Sequence, residues 1–60
     1  MKIDPNIQLP DDFYAALIEA HEGLSEAESF ELNARMVFLL ANQIGDAPVL
    51  LACVENAQLR

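Results

Sequence analysis

The sequence predicts an all-α protein: three short helices joined by two tight turns, after an extended N-terminal arm. Three observations carry this. Ser25 and Gly45 bracket a run that has its own start and stop signals for a helix. Gly23 and the Gly45–Asp46 pair cut the rest of the chain at helix-sized intervals. No segment carries a strand signal. The expected division is an arm over residues 1–10 and one helical domain over residues 11–60. Its helices span about 11–22, 26–44 and 47–58.

The arm holds Pro5 and Pro10, with Ile3, Ile7 and Leu9 between and around them. Prolines this close discourage regular structure. The apolar residues suggest an arm that docks on something. The ordinary alternative is a frayed terminus.

The first helix is expected to start at Asp11 or Asp12, after Pro10, where carboxylates complement the positive end of the helix. Gly23 should stop it. Phe13, Tyr14, Ala16, Leu17, Ile18 and Ala20 make one broad apolar face, with Asp12, Glu19 and Glu22 opposite.

The central helix opens on Ser25-Glu26-Ala27-Glu28, a capping box in which Ser25 caps an amide and Glu28 reaches back. Its polar stripe is narrow: Glu28, Glu31, Arg35 and Asn42. Phe30, Leu32, Met36, Val37, Phe38, Leu39, Leu40 and Ile44 fill most of the remaining circumference. A helix so widely apolar must be covered on more than one side, and so short a chain has little to cover it with. The third helix starts from Asp46, with Pro48 in its first turn, where a missing amide hydrogen costs nothing. Val49, Leu50, Cys53, Val54 and Ala57 form its inner face, while Leu51 and Leu59 fall outside it.

Size and charge bound the function. A chain of 60 residues is one domain at most and is marginal alone. The single cysteine rules out an intramolecular disulfide and a cysteine metal cluster. With no apolar run of signal length at the start, it fits a cytoplasmic protein. The longest apolar run, Met36 to Ala41, is far below a membrane span. A net charge of −7 argues against nucleic acid and anionic membrane as partners, because both need cationic patches.

Few residues invite a chemical role. His21, the only histidine, sits on the apolar face of the first helix near Tyr14. It would serve as a proton-transfer group or a ligand, but its ordinary role is a half-buried ring bonded to a carbonyl or carboxylate. Glu28 and Glu31 are accounted for by the capping box and by a favourable Glu31–Arg35 spacing. Asn33 lies in the apolar arc near Val37 and Leu40. An amide there can set the register between two helices or bond a neighbouring turn or the arm. Cys53 reads as a small buried hydrophobe. No residue pattern points to a catalytic centre, a metal or a cofactor.

Several stretches resemble a known family. They are Phe13-Tyr14-Ala15-Ala16-Leu17-Ile18-Glu19-Ala20-His21, Leu32-Asn33-Ala34-Arg35, and Leu39-Leu40-Ala41-Asn42-Gln43-Ile44-Gly45-Asp46. Over about residues 9–52 the chain is similar to the short bacterial proteins grouped as domain of unknown function 2783. The resemblance implies a small cytoplasmic protein with no assigned activity or catalytic residues. It also implies an accessory role, since such proteins are often encoded beside oxidoreductases of aromatic-compound breakdown.

The functional expectation is therefore a non-enzymatic interaction module. It self-associates as a homodimer through the central helix, using Phe30, Asn33, Met36, Val37, Leu40 and Ile44. One alternative is an accessory subunit of a larger oxidoreductase. Another is a ligand-binding helical dimer built around His21, Tyr14 and Asn33, which needs a pocket that thin bundles seldom form.

Overall fold

The computed structural model describes residues 4–58. It contains α1 (Pro10–His21), α2 (Glu26–Ile44) and α3 (Ala47–Ala57), and no strand among the described residues. The all-α class and the order of the three helices are as the sequence predicts. Ile3 of the arm and Leu59 beyond the third helix lie outside the described residues.

Each helix is set by signals within a few residues of its ends. In α2 the capping box forms in full. The Glu28 amide donates to Ser25 Oγ at 3.2 Å, and the Ser25 amide donates to Glu28 Oε1 at 2.9 Å. Gly45 closes the helix with φ 72°, its amide donating to the Ala41 carbonyl at 2.8 Å. That left-handed conformation is one a side chain resists. One residue on, Asp46 caps α3, accepting from the Val49 amide at 3.2 Å, with Pro48 in the first turn. The last helical residue is Ala57, one earlier than expected.

The start of α1 departs from the expected cap. Asp11 and Asp12 lie inside the first turn rather than before it. The helix begins at Pro10, whose fixed φ suits the first helical position. Leu9 takes the flanking place with φ 49°, and its carbonyl accepts from the Phe13 amide at 3.2 Å. No side chain caps this end. The two aspartates act only through the dipole of the helix. At the other end α1 stops at His21, not Glu22. Glu22 is already extended, and Gly23 turns the chain with φ 77°.

The helices touch without making an interior. No residue among those described is buried. Leu17 and His21 of α1, Leu32, Met36 and Ala41 of α2, and Leu50 and Ala52 of α3 are half-buried where the helices meet. The inner face expected for α3 is only partly inner: Val49, Cys53 and Val54 are exposed. Ile7 and Leu9 of the arm are exposed too, so these residues do not dock on their own chain.

The accessible surface puts a size on this openness. The chain exposes 5604 Å². A compact monomer of its mass exposes about 3,900 Å², and its unfolded chain about 9,600 Å². Folding alone therefore buries about 40% of the unfolded surface, where a domain of this length ordinarily buries about 60%. The radius of gyration is 13.2 Å, against about 10 Å for a close-packed chain of this length. The extended arm contributes to the excess. Apolar helix surface contributes as well, with Phe30, Val37, Phe38, Leu39, Leu51 and Val54 all exposed.

Candidate functional site

Two features of α2 stand out, one polar and one apolar. The polar feature ties α2 to α1. Leu17 and His21 are one helical turn apart, so the ring of His21 folds back and its Nδ1 lies 2.7 Å from the Leu17 carbonyl. A carbonyl only accepts, so Nδ1 carries the proton. The other ring nitrogen, Nε2, lies 3.1 Å from Asn33 Oδ1. Two arrangements satisfy this contact. Either the ring is doubly protonated and Oδ1 accepts, or the amide turns over and its NH₂ donates to a neutral ring. In both, Asn33 is bonded to a side chain of α1. The sequence offers Asn33 a place where two helices meet, or a bond to a neighbouring turn or the arm; in the structure its partner is the His21 side chain.

Tyr14, grouped with His21 and Asn33 as a possible polar site, does not join them. Among the described residues it takes part in no side-chain hydrogen bond, and its ring lies against Phe13 at a centroid distance of 5.6 Å. No group of three or more histidine, cysteine or acidic residues among those described is placed to hold a metal ion. Among the described residues Glu28 has a shifted carboxyl. The Ser25 amide, and then the Ser25 hydroxyl, hold its carboxyl below the ordinary value of 4.5. That shift belongs to a helix cap.

The apolar feature runs the length of α2. Phe30, Asn33, Val37, Leu40 and Ile44 are spaced by three, four, three and four residues, which keeps them on one face. Glu31 and Arg35 lie off this face. Of the candidate interface residues, Phe30, Val37, Leu40 and Ile44 share this seam and are exposed, and Asn33 stands among them. Met36 does not. It is half-buried on the flank of α2, where Leu32 also lies.

A groove opens at each end of the seam. At the N-terminal end Leu24, Glu26, Ser29, Phe30 and Asn33 line about 320 Å³. At the C-terminal end Val37, Leu40, Ala41 and Ile44 of α2 face Leu50, Cys53 and Val54 of α3 across about 260 Å³. This second groove is lined almost wholly by apolar side chains. The contribution of α3 was not anticipated. Its residues had been assigned to an inner face, and Cys53 to a buried place.

These observations define a class: a small three-helix protein whose central helix carries an open apolar seam, with no catalytic constellation among the described residues. The chain belongs to the family described as "Protein of unknown function (DUF2783)", whose model matches residues 1–59. The match extends beyond the stretch that carries the resemblance in sequence and takes in the whole arm. No curated protein and no solved structure matches the chain. No helix among the described residues is long and apolar enough to cross a membrane.

Proposed function

We propose that this protein is a non-enzymatic helical interaction module that self-associates through α2. The observation that carries the reading is the exposed seam of Phe30, Val37, Leu40 and Ile44 on a chain with no buried residue among those described. Apolar helical faces of this extent are ordinarily covered. At about 25 cal/mol per Å², covering them is the largest favourable contribution open to so small a chain. The single-chain surface exceeds that of a compact monomer by about 1,700 Å², and each side of a standard interface needs about 800 Å². A second copy brings the same seam, and two-fold pairs are the commonest closed solution.

The test is sedimentation equilibrium beside helical circular dichroism on the purified chain. The expected result is a strongly helical particle at twice the 6.6 kDa chain mass. A helical monomer would overturn self-association, since the fold would then stand without a cover. A monomer with little helix would overturn it as well and assign the seam to a different protein.

A further inference from the structure

We infer that two copies pair with their α2 helices antiparallel, so that Phe30 of each enters the groove between α2 and α3 of the other. This rests on the self-association proposed above and adds the orientation and the contacts that set it.

The argument begins with symmetry along the seam. Phe30 and Ile44 each lie seven residues from Val37, one on either side. At 1.5 Å per residue both are about 10 Å from it along the helix. A two-fold axis beside Val37 therefore places Phe30 of one copy level with Ile44 of the other. Ile44 lines the apolar groove, with Val37, Leu40, Ala41, Leu50, Cys53 and Val54. Phe30 is 76% exposed and meets no cover on its own chain. Phe30 stands at one end of the seam and the wholly apolar groove at the other, and an antiparallel pair sets each ring against the groove of the other copy.

A parallel pair does not. It sets Phe30 against Phe30 and leaves both grooves without a ring to fill them. It also faces Glu26 with Glu26, since Glu26 lies on the same side of α2 as Ile44 and Val37. Like charges held that close repel. In the antiparallel pair the two Glu26 residues are about 33 Å apart along the axis, beyond the range at which they repel. The seam is small enough for close approach, because Ala34 and Ala41 flank it.

The area is sufficient for one partner. Two separate chains expose about twice 5604 Å². A compact particle of the doubled mass exposes about 6,400 Å². The difference, about 4,800 Å², falls within the range of obligate homodimers.

Phe38 provides an internal control. It is as exposed as Phe30, at 76%, but lies about 80° away round the helix, off the seam. Phe30→Ala is expected to raise the dimer dissociation constant tenfold or more, while Phe38→Ala changes it less than about threefold. Equal effects of the two would overturn the inference. The orientation has its own readout, a distance rather than an affinity. Glu26→Cys in a Cys53→Ser background takes one nitroxide label per chain, and pulsed electron resonance then gives the distance between labels. The antiparallel pair predicts about 30 Å or more. A distance below about 20 Å means a parallel pair and overturns the inference while leaving self-association standing. A monomeric parent chain overturns both.

Discussion

The two junctions of α2 are built differently. At the α1–α2 junction the chain turns through Gly23 and Leu24, and named polar groups fasten the helices. The His21 ring reaches Asn33 at 3.1 Å, and the Ser25–Glu28 capping box closes the start of α2. At the α2–α3 junction Gly45 and Asp46 bring the helices together, and what faces across the angle is apolar: Ala41 and Ile44 against Leu50, Cys53 and Val54. The first junction is satisfied within the chain, because hydrogen bonds saturate once their partners are met. The second is not, because apolar surface stays unsatisfied until something covers it. The difference says where assembly should occur. A partner gains little from the bonded polar groups and much from the apolar surface, at Phe30 as well as at the α2–α3 junction.

Substitutions can break or sharpen this contrast. The largest effect is expected at the apolar junction. Leu40→Asp puts a charge in the seam, and association should weaken at least a hundredfold, or about 2.7 kcal/mol, with loss of helicity at low concentration. Sedimentation and circular dichroism read both. A variant that keeps the mass and the melting temperature of the parent would show that the seam is not the interface. Next is Gly45→Ala, which forces a side chain into the left-handed turn between α2 and α3. Its φ of 72° makes the change unfavourable, although the nearest atom to an added Cβ, the Asn42 carbonyl oxygen, is 3.9 Å away. We expect a loss of about 1–2 kcal/mol from conformation alone, read as a lower urea midpoint with an unchanged slope.

The polar junction should respond more weakly. A double-mutant cycle of His21→Ala and Asn33→Ala should give a coupling of about 0.5–1 kcal/mol, as for one exposed hydrogen bond. A coupling near zero would leave the junction to packing alone. The smallest effect concerns pH. The carboxyl of Glu28 is held below its ordinary 4.5 in the folded chain by the Ser25 amide and hydroxyl. Its stabilisation is thus complete above 4.5 and drains away as the pH falls through the lowered value. Glu28→Gln should remove that part of the acid dependence. Identical acid titrations of helicity for parent and variant would contradict the assignment.

What was legible in the sequence follows the reach of each signal. The limits of α2 and the start of α3 could be read because each is written within four residues. Ser25 with Glu28, Gly45 alone, and Asp46 ahead of Pro48 are such signals. The start of α1 was misplaced by one residue. Two aspartates looked like caps, but Pro10, already fixed in φ, claimed the first helical position ahead of them. The bond between His21 and Asn33 could not be read, although each residue had been noted. It joins positions twelve apart, and whether they meet depends on how the turn at Gly23 aims α2. The seam residues were recognisable as apolar arc, and four of them share one exposed face. Met36 is half-buried beside that face rather than exposed on it, and the arc is too broad for composition to say which part faces a neighbouring helix. Cys53 and Val54 failed for a related reason. Their periodicity marks an apolar face, and periodicity cannot say that the face stays exposed on the single chain.

The self-contained limits of α2 also bear on how the protein comes together in time. A segment that starts itself at Ser25 and stops itself at Gly45 forms its turns from neighbours, and elongation of such helices takes nanoseconds per residue. Almost nothing in the single chain waits on a distant pairing, so there is no slow search within it. Under the proposed self-association the slow event is the encounter of one chain with the next, and the rate of gaining full helicity should then rise with protein concentration.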